Sequence, residues 1–150
     1  MAMRLYGAKG AGSMAVHAAL EEIGADYDFT LLDLAKGEQK APEYLALNPN
    51  GRVPTIIDGD HIQWESNSCV RYLAEREGTA TWYPKNLQTR GLANMWMDWA
   101  TTTIHPHMFP LFWGLIRTAE EDHDDNAIEA ARVALERIRQ SLVRPVGLPL

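Results

Sequence analysis

Two neighbouring residues, Glu65 and Ser66, place a carboxylate beside a hydroxyl at the start of a predicted helix. A carboxylate binds a cation, and a hydroxyl together with the first N–H groups of a helix binds an anion. The pair could therefore hold both ends of a zwitterion. An exposed acid before an ordinary N-cap serine is the commoner meaning of such a dipeptide, so the surrounding sequence has to decide between these two interpretations.

The segment leading to this pair, residues 47–64, predicts a loop followed by two antiparallel strands. Asn48-Pro49-Asn50-Gly51 cannot continue a helix, because the residue before a proline is pushed out of the α region. β-branched residues follow, and Asp58-Gly59 is a two-residue hairpin signal. Pro54 lies inside the first strand, where it removes a ladder donor. It is therefore expected at a sheet edge, at a bulge or in a cis bond.

The elements before this segment predict a strand, a helix and a second strand. The helix follows the glycine-rich turn 7–12 and Ser13, and the second strand covers residues 27–34. A strand, helix and strand within about thirty residues form a right-handed parallel crossover. Together with a third helix that ends near Gly78, this predicts a βαβ–ββα unit with a mixed sheet.

Composition changes after a linker at residues 79–86, and residues 87–150 have a helical pattern. Pro106 and Pro110 are expected to interrupt or kink the first part of this region. Asn126, with Glu129 three residues later, resembles a capping box before a last amphipathic helix. The predicted fold class is thus α/β, with residues 1–78 as one domain and a helical domain after the linker.

Charge and cysteine content restrict the classes of partner. The net charge is −6 at pH 7, and the chain has no cluster of basic residues, which argues against nucleic acid and anionic membranes. No apolar run approaches the roughly 20 residues of a membrane span. Cys69 is the one cysteine, so an intrachain disulfide and a CxxC motif are excluded, and a reducing compartment, the cytoplasm, is expected.

Two segments resemble motifs of the glutathione transferase family: residues 48–56 (NPNGRVPTI) and residues 65–74 (ESNSCVRYLA). Residues 96–100 (WMDWA) and 114–118 (GLIRT) extend the resemblance to bacterial members. It implies a thioredoxin-like glutathione-binding domain followed by a helical domain. It also implies a cytoplasmic enzyme of detoxification that conjugates the glutathione thiolate to small apolar electrophiles.

The resemblance assigns binding roles to five residues. A cis bond at Pro54 would turn the N–H and C=O of Val53 outward, where they can pair with the extended tripeptide as in strand addition. Glu65 would receive the ammonium of the γ-glutamyl group, and Ser66 its carboxylate. Lys36 would meet the glycyl carboxylate, although a surface lysine is the ordinary meaning of such a residue.

Activation of the thiol is assigned to Ser13 and His105. The Ser13 hydroxyl would donate to the glutathione sulfur at the start of the first helix, whose dipole favours a thiolate. Helix capping alone, or activation by backbone N–H groups near Gly12, are the alternatives. Gly12 stands where the bacterial beta class has its cysteine, and His105 stands where that class has a histidine that reaches the thiol.

A metal site is not predicted. His105 and His107 are two residues apart, which puts them on different helix faces, and no third ligand is evident. Cys69 takes the place of an apolar residue in the family pattern and is expected to be a core thiol.

The resemblance fades near Arg139, and family members carry a longer helical domain. A truncated helical domain would leave apolar faces unpartnered, so reduced stability or a compensating homodimer is expected. Two further functions remain open. One is disulfide reduction in which glutathione supplies the sulfurs, and the other is a glutathione-binding or interaction protein without catalysis.

Overall fold

The computed structural model describes residues 2–77 and 81–143. The chain forms two compact units, Met1–Arg90 and Gly91–Leu150. The division falls inside a helix that begins at Leu87, close to the predicted boundary between linker and helical domain. Gly78, the start of the predicted linker and the tail after Val143 lie outside the described residues.

The first unit is a four-stranded mixed sheet with helices. The strand order is β2-β1-β3-β4, with β1 parallel to β2 and antiparallel to β3. This is the predicted thioredoxin-like βαβ–ββα arrangement. In chain order the elements are β1 (Met3–Gly7), α1 (Ser13–Glu22), β2 (Tyr27–Leu31), α2 (Pro42–Leu45), β3 (Thr55–Asp58), β4 (His61–Trp64) and α3 (Ser66–Glu77).

The core of this unit lies between one face of the sheet and helices α1 and α3. Leu5 of β1 and Ile56 of β3 are opposite each other in the sheet and fully buried. Val16 and Leu20 of α1 and Leu73 of α3 complete this cluster. Because strand side chains alternate between faces, the same register directs Tyr6 and Thr55 to the opposite face.

Strand β2 ends at Leu31, three residues before the predicted end at Leu34. Asp33 accounts for the early end, since its carboxylate accepts hydrogen bonds from the backbone N–H groups of Ala35 and Lys36. Such an Asx turn replaces strand pairing with a local bond.

The hairpin turn is Gly59-Asp60, one residue later than the predicted Asp58-Gly59. Asp58 is instead the last strand residue and pairs with His61. Its carboxylate accepts a hydrogen bond of 2.7 Å from the Tyr72 hydroxyl of α3, which holds it within the strand. Gly59 takes φ +61°, the left-handed conformation that the turn requires and that glycine adopts without strain.

The second unit is helical. Its elements are α4 (Leu87–Trp99, which begins in the first unit), a π-helical segment (Ala100–Ile104), α5 (His105–Phe112), a second π-helical segment (Trp113–Arg117) and α6 (Asp125–Val143). The helical backbone continues through Pro106 and Pro110, so neither proline ends it as an interruption would. The π-helical segments on each side of α5 adjust the hydrogen bonding where proline N–H groups are missing. Within residues 2–77 and 81–143, no helix has both the length and the apolar character needed to span a membrane.

The predicted capping box at Asn126 is wrong. Helix α6 begins at Asp125, and its cap is Asp124, whose carboxylate accepts a bond of 3.0 Å from the N–H of Ala127. Glu129 does not fold back on the cap but pairs with Arg132, one turn further along.

Candidate functional site

The start of strand β3 brings the two motif segments together. Thr55 is the first paired residue of β3, and it lies opposite Trp64, the last residue of β4. Val53-Pro54 directly precedes this pair in the chain and Glu65-Ser66 directly follows it, so both segments lie at the same end of the sheet. The C-terminal end of β1 lies at the same edge, because β1 pairs with β3 up to Thr55. Loop and helix starts from three parts of the chain therefore meet at one edge of the sheet.

The Val53–Pro54 peptide bond is cis, and Pro54 is buried. Val53 is half-buried and precedes the first residue of β3 that pairs with either neighbouring strand. Its N–H and C=O therefore lie outside the hydrogen-bonding ladder. A peptide ligand that approaches this edge can meet them as it would meet an edge strand.

Glu65 holds a left-handed backbone conformation, with φ at 70°. A non-glycine residue in this region costs about 1–3 kcal/mol and marks a place where the surroundings fix the conformation. Its carbonyl accepts the first helical bond of α3, at 2.8 Å from the Cys69 nitrogen. The side chain of Glu65 is exposed and that of Ser66, the first residue of α3, is half-buried.

The starts of helices α1 and α3 lie next to each other. A Cβ placed on Gly12, directly before α1, would lie 3.8 Å from the Ser66 hydroxyl oxygen. Each helix start carries partial positive charge and N–H groups without helical partners. Two such starts side by side favour anionic groups, which in a thiol peptide are a carboxylate and a thiolate.

Ser13 is the first residue of α1, at the helix start where the sequence predicts it. Its side chain is 2% exposed, its hydroxyl oxygen accepts a bond of 3.0 Å from the N–H of Ala8, and it donates a bond of 3.1 Å to the Ala8 carbonyl. It does not cap α1. The hydroxyl therefore joins the two ends of the glycine-rich turn, and its one proton is already donated within the protein.

The two lysines of the loop after β2 have different surroundings. Lys36 is 75% exposed and pairs with Asp33 at 3.2 Å; its hydrogen bonds hold the pKa of that carboxyl below its usual value. Lys40 instead donates to the carbonyl oxygen of Asn50 at 3.3 Å. It therefore lies beside the loop that leads to Val53. An irregular loop has no periodicity that distinguishes one lysine from another, so the sequence alone does not single out Lys40.

His105 is the first residue of α5 in the second unit, and its side chain is exposed. His107 is half-buried. In the part of the chain that the structure describes, no three His, Cys, Asp or Glu side chains are grouped so that they could hold a metal ion.

Cys69 lies in the core of the first unit, with no exposed surface. Its thiol is directed toward the carbonyl oxygen of Gln63 at 3.6 Å. Burial raises the pKa of this thiol to about 12, so it is protonated at neutral pH. A protonated, buried thiol is a poor nucleophile.

Known proteins match most of this chain in sequence. Residues 1–75 match the family model described as glutathione S-transferase, N-terminal domain. Glutathione S-transferase GstB of Escherichia coli strain K12 is 39% identical over 114 residues, which are 75% of this chain and 55% of that protein. Glutathione S-transferase F10 of Arabidopsis thaliana is 34% identical over 118 residues, which are 77% of this chain and 55% of that protein. The chain thus spans about half the length of these curated relatives.

A solved structure extends the similarity beyond the first unit. It is a theta class glutathione S-transferase from Xanthomonas axonopodis pv. citri with glutathione bound, and it is 37% identical with a TM-score of 0.86. The match covers 93% of this chain and 68% of that one. The chain belongs to the glutathione S-transferase family.

Proposed function

We propose that this chain binds glutathione at the start of β3 and transfers it, through its thiolate, to a small apolar electrophile. The observation that carries the proposal is the Thr55–Trp64 pair, which holds Val53-Pro54 and Glu65-Ser66 at one end of the sheet, with Ser66 beside Gly12. A solved relative with glutathione bound has the same fold. The backbone, an anion site and a cation site then lie along one short path, as an extended tripeptide requires.

Three groups would recognise the ends of glutathione. Glu65 accepts hydrogen bonds from the γ-glutamyl ammonium, and the Ser66 hydroxyl with the first N–H groups of α3 binds the γ-glutamyl carboxylate. For the glycyl carboxylate we propose Lys40 rather than Lys36, because Lys40 is in contact with the loop before Val53 and Lys36 pairs with Asp33.

The thiol would be activated by backbone groups. Residues 8–12 carry no hydroxyl or thiol, and the Ser13 proton is donated to the Ala8 carbonyl. The N–H groups and the dipole at the start of α1 lower the pKa of a thiol placed beside Gly12. The thiol proton passes to solvent, the thiolate forms a carbon–sulfur bond with the electrophile, and the leaving group departs with its bonding electrons. Holding the two reactants together lowers the barrier further.

Titration with glutathione tests the binding site. Glu65→Ala is expected to weaken binding about tenfold or more, because a hydrogen bond to a charged group is worth about 1.5–3 kcal/mol. Glu75→Ala is the matched control, since Glu75 is an exposed glutamate on the same helix. Tight binding that Glu65→Ala leaves unchanged would refute the assignment.

A second candidate function is binding of glutathione without turnover. The internal hydrogen bonds of Ser13 support this candidate, because its hydroxyl proton is donated to the Ala8 carbonyl. Incubation of the protein with glutathione and an activated aryl chloride distinguishes the two functions. Retention on immobilised glutathione without accumulation of the conjugate selects the second.

The proposal keeps three further predictions of the sequence analysis. We propose a homodimer, which sedimentation of the purified chain tests, and a cytoplasmic location, which microscopy of a tagged chain tests. His105 is proposed as a second group near the thiol on the basis of the family resemblance. Its test is the turnover of His105→Ala at saturating glutathione.

A further inference from the structure

Three buried polar side chains form a hydrogen-bonded network at Arg52, the residue before Val53. Tyr44 of α2, Asn48 of the following loop and Thr55 of β3 are 4%, 2% and 0% exposed. Two of them donate to one acceptor, the carbonyl oxygen of Arg52: the Tyr44 hydroxyl at 2.7 Å and the Asn48 amide at 2.8 Å. The lone pairs of this carbonyl are therefore both engaged by protein groups.

The network extends beyond this carbonyl. The hydroxyls of Tyr44 and Thr55 are 2.8 Å apart. Because the Tyr44 hydroxyl donates its proton to the Arg52 carbonyl, the Thr55 hydroxyl is the donor of this second bond. The Asn48 amide also reaches the Thr55 hydroxyl at 3.2 Å, and its own side-chain oxygen accepts from the N–H of Asn50. Aligned hydrogen bonds of this kind polarise and strengthen one another away from water.

Because the peptide bond is planar, the fixed direction of the Arg52 carbonyl also fixes the direction of the Val53 N–H. The carbonyl of Arg52 and the N–H of Val53 belong to one peptide unit, which is trans, since among the described residues the cis bond is the one after Val53. In a planar trans peptide these two groups point in opposite directions. Two hydrogen bonds that pull the carbonyl toward the buried network therefore direct the Val53 N–H away from it.

We propose that Tyr44 and Asn48 are positioning residues for glutathione, because they set the direction of the Val53 N–H that pairs with the tripeptide. This inference rests on the proposed glutathione site. Neither side chain touches the ligand. Each acts through the Arg52 carbonyl, and loss of one donor lets the peptide plane rotate between several orientations before binding.

The test compares two tyrosines that each lose only a hydroxyl. Tyr44→Phe removes a donor to the Arg52 carbonyl, and Tyr72→Phe, the control, removes a donor to Asp58 in the same unit. Isothermal titration with glutathione is expected to give a Kd about three- to tenfold higher for Tyr44→Phe, the worth of one hydrogen bond. Tyr72→Phe should bind like the wild type. The turnover of Tyr44→Phe at saturating glutathione should equal that of the wild type, because the thiol site is unchanged.

The possible results separate the two proposals. No binding by the wild-type protein would refute the proposed function itself. Wild-type binding with equal Kd values for Tyr44→Phe and Tyr72→Phe would overturn the positioning role alone.

If Tyr44→Phe does not fold, a measurement on the wild-type protein can still overturn the inference. The amide resonance of Val53 should shift and become protected from hydrogen exchange when glutathione binds. An unaffected Val53 amide in a protein that binds glutathione would overturn the inference.

Discussion

Replacing Ser13 with alanine tests whether this serine has a structural or a catalytic role. In the structure the Ser13 hydroxyl makes two hydrogen bonds with the backbone of Ala8, a residue that is 6% exposed. Ser13→Ala removes both bonds at once. The N–H and C=O of Ala8 would then lose these partners in a place that water barely reaches.

The expected cost follows from these two groups. A buried donor or acceptor that loses its partner costs about 1–3 kcal/mol. With some relaxation of the glycine-rich turn, Ser13→Ala should lower the free energy of unfolding by about 2–4 kcal/mol. At a temperature where the variant is still folded, its turnover with glutathione should stay within a few-fold of the wild type, because backbone N–H groups activate the thiol.

Urea unfolding and steady-state kinetics measure the two effects independently. Ser68→Ala is the matched control, since the Ser68 hydroxyl bonds one half-buried side chain, Gln63. It should cost less than Ser13→Ala, because the released Gln63 amide can reach water. Kinetics should be recorded well below the midpoint of unfolding of each variant.

One result would refute this reasoning. If Ser13→Ala unfolds like the wild type but loses turnover by a hundredfold or more, about 2.7 kcal/mol of activation free energy, the hydroxyl acts on the thiol. Its bonds to Ala8 would then be exchanged for the ligand when glutathione binds.

Two further predictions concern glycine packing and the buried thiol. Gly7→Ala should destabilise the first unit by about 1–3 kcal/mol, because its Cβ would lie 2.8 Å from a ring carbon of Phe29. The added Cβ of Gly91→Ala meets no atom within 4 Å, so this variant should stabilise α4 by about 0.5–1 kcal/mol. Urea unfolding measures both, and a neutral Gly7→Ala would contradict the packing. Burial raises the pKa of Cys69 from 9.0 to about 12. Between these pH values the unfolded chain releases a thiol proton that the folded chain keeps. The free energy of unfolding therefore falls as pH rises through this range. Cys69→Ala should show a shallower fall in alkaline urea titrations, and an unchanged slope would count against this coupling.

Short-range patterns in the sequence were sufficient for the first unit. The β-branched run before the hairpin and the helical spacing of apolar residues in α1 and α3 predicted the βαβ–ββα order, because these elements share one core. The errors fall where two local signals compete. The hairpin turn moved to Gly59-Asp60 because Tyr72, distant in the sequence, holds the preceding aspartate in the strand.

The same limit applies to side chains whose role depends on position within a single turn. Asp124, Asp125 and Asn126 are consecutive candidates for the cap of α6, and the sequence does not show which of them caps it; Asp124 does. Ser13 is one residue past the cap position of α1, which directs its hydroxyl to Ala8 instead of to the helix start. A shift of one residue thus changes which backbone groups the Ser13 hydroxyl contacts.

The loop before Val53 has residue types that its geometry requires. Asn48 must offer an amide donor to Arg52 and an oxygen to Asn50, which no other uncharged side chain of that length does. Gly51 has φ +57°, and a Cβ there would lie 2.7 Å from the Lys40 nitrogen, so a larger residue would displace the proposed carboxylate ligand. The motif therefore specifies residues that hold the loop, and through one peptide plane they orient the backbone that we propose recognises glutathione.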